Sequence, residues 1–190
     1  MSLNVLSDLI QKNDKTLIHQ VFELYYGKLA GIAMRYAKDD TQADLVFHSA
    51  FEKAYAKLYQ FRNQKNSEPE KILIEEFIIA NVEFIKSIRS EYYVSSTVYA
   101  IDKSIKNYDL FENNDLIDFN KTDIETIIKA LQILVPSQRL IFNLHVIDGF
   151  SIQESAFILE TSEETIKSNL EKARFNLQKN IERKLKGIAK

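Results

Sequence analysis

Hydrophobic residues between positions 136 and 177 recur with the periodicity of three short amphipathic helices. In an α-helix each residue turns the chain by about 100°, and residues at this spacing share one face. Polar residues fill the positions between them. The three inner faces are, in chain order, Leu140, Ile141, Leu144 and Ile147; then Ile152, Ala156 and Leu159; then Ile166, Leu170, Ala173 and Leu177.

Residues that start and stop helices separate these three patterns. Pro136 suits the first turn of a helix, and Asp148-Gly149 is a strong stop because glycine adopts the left-handed conformation easily. Ser151 and Glu154 have the spacing of a capping box, and Ser162 can cap the third helix. The pattern therefore predicts a helix-turn-helix.

The third helix leaves a polar face outward, made of Thr165, Lys167, Ser168, Asn169 and Lys172. A helix presented in this way can lie in the major groove of DNA. Helical hairpins with the same spacing also occur in bundles that bind no nucleic acid, so the pattern leaves both interpretations open.

Composition favours an all-α chain that is soluble and cytoplasmic. The 190 residues include four glycines, two prolines and no cysteine, so long stretches lack helix breakers and no thiolate chemistry is available. The sequence contains no secretory signal and no long apolar run, which predicts that the protein does not enter a membrane.

Positive charge is concentrated at the C-terminal end, although the net charge is −2. Residues 162–190 contain eight basic and four acidic residues, whereas residues 122–161 contain two basic and five acidic ones. Phosphate attraction follows local charge, so the third helix is the segment best suited to DNA. A basic helix by itself is also compatible with an ordinary solvated face.

Helical periodicity weakens between residues 94 and 121, where Asn113-Asn114-Asp115 interrupts the pattern. This division predicts two helical domains, residues 1–93 and 122–190, joined by a linker at residues 94–121, with the helix-turn-helix in the second domain.

Nothing in the pattern predicts an enzyme or a cofactor. His19, His48 and His145 are scattered, and none has a carboxylate or second histidine at metal-ligand spacing. The carboxylate pairs Asp39-Asp40 and Glu75-Glu76 lie among alternating charges, which favours solvated positions. We expect no catalytic residue, no metal site and no cofactor.

The C-terminal segment resembles region 4 of the bacterial extracytoplasmic-function sigma factors. The matching positions are Pro136, Arg139, Ile141, Phe142, Leu144, Gly149, Ser151, Glu154, Ala156, Ser162, Thr165, Ile166, Lys167, Ser168, Leu170, Ala173, Arg174 and Leu177. The sequence departs from that pattern at Glu160, Asn169, Glu171 and Lys172. The resemblance implies promoter DNA binding by Ser162, Glu164, Thr165, Lys167, Ser168, Asn169, Lys172 and Arg174.

Residues 21–61 are similar, more loosely, to region 2 of the same family. The matching positions are Tyr25, Tyr26, Leu29, Arg35, Tyr36, Ala43, Asp44, Phe51, Lys53, Leu58 and Phe61, with departures at Leu45, His48, Ser49 and Tyr55. The resemblance implies contact with core RNA polymerase through Asp44, Leu45, His48 and Phe51. It implies a promoter-melting helix with Asn81, Lys86 and Arg89, of which only Arg89 fits the family pattern.

These expectations describe a sigma-like transcription initiation factor that binds core RNA polymerase and specific promoters, with an anti-sigma factor as a further expected partner. The alternative is a helical interaction or regulatory module that keeps the sigma fold without initiating transcription. Leu45, Ser49 and Lys86 favour the alternative, whereas Lys167-Ser168 and Ala173-Arg174 favour the initiation factor.

Overall fold

The computed structural model describes residues 17–60, 68–88, 122–185 and 187, and every regular element within these ranges is helical. The helices are α1 Leu17–Tyr36, α2 Asp40–Gln60, α3 Pro69–Ser87, α4 Ile124–Ile133, α5 Pro136–Phe142, α6 Ile152–Leu159 and α7 Glu163–Leu185. A π-helical turn, Asn143–Ile147, continues α5. The all-α prediction is confirmed.

The chain forms two compact units, residues 1–85 and residues 86–190. The first unit contains α1, α2 and nearly all of α3, and the second contains α4 to α7. The predicted linker, residues 94–121, lies outside the described residues.

Aromatic side chains dominate the core of the first unit. The Phe47 ring on α2 meets Phe22 of α1 at 5.8 Å and Phe77 of α3 at 5.6 Å between ring centroids, both edge to face. This geometry places the positive ring edge against the negative ring face and adds to the free energy gained from burial. Phe47 therefore joins all three helices.

Polar contacts fix the first unit at its margins. Lys28 Nζ on α1 lies 2.9 Å from a carboxylate oxygen of Glu70 in the first turn of α3, and Tyr25 donates a longer hydrogen bond of 3.4 Å to the same carboxylate. At the start of α2, the Asp39 carboxylate accepts a hydrogen bond from the backbone amide of Gln42 at 2.7 Å. The side-chain oxygen of Gln42 accepts in return from the backbone amide of Lys38 at 2.9 Å. Both amides belong to the region of a helix start that lacks intrahelical acceptors.

Helix α7 is the central element of the second unit. Its 23 residues extend about 35 Å at 1.5 Å per residue. Its C-terminal half packs on α4 through a buried cluster of Ala130, Leu131, Leu134, Ala173, Leu177 and Ile181. Asn180 donates to the carbonyl of Ala130 at 3.1 Å within this contact. The C-terminal half is thus anchored in the core.

A buried arginine closes the turn between α4 and α5. Arg139 is 1% exposed, and its Nη1 donates to the carbonyls of Gln132 at 2.9 Å and Leu134 at 2.7 Å. Carbonyls at the end of a helix lack intrahelical donors, so a guanidinium suits this position by charge and geometry.

The predicted inner face of the first helical pattern is correct at Leu140, Ile141 and Leu144, which are at most 2% exposed, and wrong at Ile147, which is 44% exposed. The cause is the π-helical turn, where the Asp148 amide donates to the carbonyl of Asn143 at 2.9 Å. A π-helix turns less per residue than an α-helix, so positions after Leu144 lose the phase of the preceding face.

The other predicted local signals are present. Pro136 stands in the first turn of α5. Gly149 has a φ of 80°, and the Ser151–Glu154 capping box is complete at the start of α6. Helix α6 ends at Leu159, and the cap residue that follows, Glu160, adopts the left-handed conformation at φ 54° and ψ 48°.

Candidate nucleic-acid interface

The N-terminal half of α7 is held from one side only. Ile166 and Leu170, at 0% and 6% exposure, fix it to the core of the second unit. Five of the predicted DNA-binding residues around them are exposed, namely Ser162, Glu164, Thr165, Lys167 and Ser168. Further along α7, Arg174 is exposed, whereas Asn169 and Lys172 are half-buried. The structure therefore brings all eight predicted residues onto one helix and its cap.

The start of α7 is stabilised by its own side chains. The Ser162 hydroxyl accepts from the Thr165 amide at 3.2 Å, and the two hydroxyl groups lie 3.1 Å apart. Asn169 donates to the carbonyl of Thr165 at 3.0 Å. These bonds stabilise the first turns of α7, and they leave the side-chain oxygen of Asn169 and the methyl group of Thr165 for contacts beyond the helix.

Lys167 Nζ lies 3.7 Å from the carboxylate of Glu163 one turn earlier, and the two side chains are 61% and 47% exposed. An exposed pair at this spacing contributes little to stability. Replacing Glu163 by a phosphate group as the partner of Lys167 would consequently cost little free energy. Lys167 is therefore suited to a contact with DNA.

Glu164 lies in the first turn of α7. Hydrogen bonds to the carboxylate, first from its own backbone amide and then from the Ser162 side chain, hold the pKa of Glu164 below its usual range, with a smaller contribution from Lys167. A carboxylate is also favoured by the positive end of the helix dipole. Glu164 is thus a negatively charged acceptor at the exposed helix end.

The residues expected to contact core polymerase are only partly at the surface. Asp44, Leu45 and His48 on α2 are exposed, Leu45 by 61%, whereas Phe51 is 6% exposed and belongs to the aromatic core. The Phe51 ring packs against Phe22, at 5.4 Å between ring centroids.

The residues expected on a promoter-melting helix are not gathered at a surface. Asn81 is 0% exposed, and its amide donates to the carbonyl of Phe77 at 2.7 Å within α3. Lys86 is half-buried, and Arg89 lies outside the described residues. The Asn81 side chain is therefore not at the surface, where a contact with DNA would need it.

Sequence reasoning missed a groove between α1 and α2. Its volume is about 540 Å³, and Asp44 and His48 lie along it with Phe22, Tyr26 and Phe47. Alanines at 30, 33 and 43 also line it, and their small side chains leave the space open. The spacing of Ala30 and Ala33 on one helical face was the signal in the sequence.

The described residues include no group of three or more histidines or carboxylates that could hold a metal ion. Within the same part of the chain, no helix is both long enough and apolar enough to cross a membrane.

Comparisons with known proteins agree with this architecture. Residues 124–177, less than a third of the chain, match the profile of the family described as Sigma-70, region 4. A comparison with curated protein sequences finds no match.

Among solved structures, the fold is similar to that of the sigma factor RpoE from Bartonella quintana, determined in complex with the anti-sigma factor NepR. The TM-score is 0.52 at 22% identity, and the match covers 88% of this chain and 98% of that chain. The predicted resemblance is confirmed: residues 124–177 match the sigma-70 region 4 profile, and the chain has the fold of a sigma factor.

Proposed function

We propose that this chain is a sigma-type transcription initiation factor. In this proposal the second unit binds duplex promoter DNA through the N-terminal half of α7, and the first unit binds core RNA polymerase. The observation that carries the proposal is a helix-turn-helix whose second helix leaves its polar face exposed, within a segment that matches the sigma-70 region 4 profile.

The way α7 is held supports DNA binding. Its C-terminal half is buried against α4, while its N-terminal half is free on the side opposite Ile166 and Leu170. In helix-turn-helix proteins, N-terminal residues of the second helix contact base edges. The basic residues from Lys167 onward then supply the phosphate contacts.

The surface of α2 supports binding of core RNA polymerase. An exposed leucine at position 45 lies beside Asp44 and near a groove that has an apolar lining. We expect the polymerase to cover this surface. Because the similar RpoE was determined with an anti-sigma factor, we also propose a partner of that kind for this chain. A cytoplasmic location follows from the proposed role.

A second candidate function is a regulatory module that binds DNA or proteins without opening promoters. The burial of Asn81 favours it, because α3 then lacks a polar group expected at the melted strand.

Run-off transcription separates the two functions. Purified full-length protein is mixed with core RNA polymerase from the same organism and genomic promoter fragments, and a parallel reaction omits the protein. Specific transcripts that depend on the protein support the initiation factor. DNA binding without transcripts supports the regulatory module. Absence of both would contradict the initiation factor and any regulatory module that acts by binding DNA.

A further inference from the structure

Lys86 and Glu160 both depart from the family pattern, and the structure brings their side chains together. Lys86 lies in the last turn of α3 and is the first residue of the second unit. Its Nζ lies 3.0 Å from a carboxylate oxygen of Glu160, the cap residue that follows α6. The two departures therefore form one ion pair.

Lys86 also contacts the end of α6 itself. Its Nζ donates a hydrogen bond to the carbonyl oxygen of Ile158 at 3.3 Å. The last carbonyls of a helix lack intrahelical donors and carry the negative end of the helix dipole, so a cation is favoured there. The Lys86 side chain is 19% exposed, whereas that of Glu160 is 81% exposed. An ammonium group with so little access to water depends on these two acceptors.

Glu160 occupies the turn from which α7 starts. Thr161 alone separates it from Ser162, whose hydroxyl caps α7. At a φ of 54°, Glu160 adopts a left-handed conformation that is unfavourable for a residue with a Cβ. The contact with Lys86 restrains this side chain and so limits the turn to fewer conformations. The residues proposed to bind DNA begin at Ser162, so the way in which they are presented depends on this turn.

We propose that Lys86 is a positioning residue for the DNA-binding half of α7. Paired with Glu160, it fixes the turn between α6 and α7 and thereby strengthens binding to duplex promoter DNA without touching the DNA. This inference rests on the proposed function, since it concerns the same DNA-binding helix. It gives Lys86 a role in duplex binding, in place of the role at the melted strand that the family pattern implies.

The test is a double-mutant cycle on the full-length protein, made of Lys86→Gln, Glu160→Gln and the variant that carries both changes. Glutamine keeps the length of the glutamate side chain, so the change at position 160 is confined to the charge. The probe is a fluorescently labelled duplex that the wild-type protein selects from a randomised pool. Its affinity is measured by anisotropy, with the protein alone and with core RNA polymerase added.

Each single variant should weaken duplex binding roughly 2- to 30-fold, the range for residues that act on a site without touching the ligand. The double variant should bind no more weakly than the single ones, because the two groups act as one pair. A purely electrostatic effect on DNA would instead shift the two single variants in opposite directions, since one loses a positive charge and the other a negative charge. A loss in both is expected only if the pair itself matters.

Lys53→Gln is the matched control. Lys53 Nζ lies 3.0 Å from a carboxylate oxygen of Glu83 within the first unit, so this variant removes the same charge and an ion pair of the same length. Its duplex affinity should equal that of the wild-type protein. Lys86→Arg, which keeps the charge and the donors, should also bind like the wild-type protein. Thermal unfolding checks that every variant is folded at the temperature of the binding measurement.

The salt dependence separates positioning from direct contact. Lys86→Gln should keep the wild-type slope of log affinity against log salt, because Lys86 makes no phosphate contact in this proposal. A shallower slope, wild-type affinity in Lys86→Gln, opposite shifts of the two single variants or additive losses in the double variant would each overturn the inference and leave the proposed function intact. Failure of the wild-type protein to bind any duplex under either condition would contradict the proposed function, and the inference with it.

Discussion

Arg139 shows how one side chain can fix the geometry of a whole unit. Its guanidinium holds the end of α4 by two carbonyl contacts, and α4 in turn packs on α7. Removing the guanidinium would leave two buried carbonyls without these donors. A hydrogen bond to a charged group contributes about 1.5–3 kcal/mol to stability, so the loss should be costly. The orientation of the helix-turn-helix thus depends on a residue that we place well inside the core.

We expect Arg139→Met to lower the free energy of unfolding by about 2–4 kcal/mol, although methionine is long enough to fill the site. Calorimetry of the full chain measures the change. The control is Arg174→Met, an exposed position where the expected change is within about 0.5 kcal/mol. Equal stability of the two variants would mean that Arg139 does not support the turn.

Glu160 is strained at the end of α6. A residue with a Cβ at φ 54° pays a steric cost of about 1–2 kcal/mol that glycine avoids. Glu160→Gly should therefore raise the free energy of unfolding by about 1 kcal/mol, seen as a higher transition temperature. Glu171→Gly, within α7, should lower it by about the same amount. A decrease in both variants would show that the left-handed turn is not a source of strain.

At the scale of the element, α7 combines an anchored half with an exposed half, and in the proposed function its basic side chains set the affinity for DNA. Each phosphate contact contributes about 0.9 to the slope of log affinity against log salt. Lys167→Ala and Arg174→Ala should each weaken binding to promoter DNA and make that slope shallower by about one contact. The measurement is a salt titration of binding by fluorescence anisotropy.

Lys71→Ala is the control for this experiment, since Lys71 is an exposed lysine on α3 in the first unit. Its slope should equal that of the wild-type protein. An unchanged slope in both α7 variants would argue against α7 as the DNA-binding helix.

The contact between α1 and α3 gives the first unit a dependence on alkaline pH. Burial, followed by the charge and hydrogen bond of Glu70, raises the pKa of Tyr25 to about 12. The folded protein therefore holds the Tyr25 proton more tightly than the unfolded chain does. This contribution to the free energy of unfolding is complete below pH 10, the ordinary pKa of tyrosine, and it is lost as the pH rises from 10 to 12.

Comparison of wild-type protein with Tyr25→Phe isolates this effect. The wild-type protein should lose about 2 kcal/mol more of its free energy of unfolding between pH 9 and pH 12 than the variant does. Tyr26→Phe, at a position that is 50% exposed, should behave like the wild-type protein. Urea unfolding at each pH provides the measurement, and parallel curves for all three proteins would contradict the prediction.

At the scale of the whole molecule, the proposed function divides between two units, and their contributions can be separated. Leu45→Lys places a charge on the exposed apolar position of α2. It should weaken binding of core RNA polymerase at least tenfold, because the lysine would have to be desolvated at the interface. Promoter DNA binding through α7 should stay unchanged.

Glu52→Lys is the matched control on the same helix, where the native residue is already exposed and charged. Binding is measured by co-purification and by competition for labelled core polymerase. If both variants bound polymerase equally well, the result would show that Leu45 does not contact the polymerase.

The sequence predicted the helix-turn-helix well because its signals are local. Ser151, Ser162 and Gly149 act on backbone groups within a few residues, so their effect can be read without the tertiary structure. The burial of Phe51 and Asn81 could not be read in this way. Both positions face a core that exists only once three helices have packed, and a sequence pattern does not distinguish a residue that contacts a partner from a residue that packs in the core.

The π-helical turn Asn143–Ile147 has a consequence for how the chain tolerates changes in length. A π-helical turn is equivalent to one extra residue inserted into an α-helix. Because a π-helix turns less per residue than an α-helix, the extra residue adds little rotation. Deleting one residue within Asn143–Ile147 should therefore restore a regular α-helix and leave the direction of the following helices nearly unchanged. Deleting one residue from a regular α-helix would instead rotate everything after it by roughly 100°. Substitutions at Val146 or Ile147, both more than 40% exposed, should be tolerated as well. The π-helical turn is thus a place where the chain can lose one residue without turning α7 away.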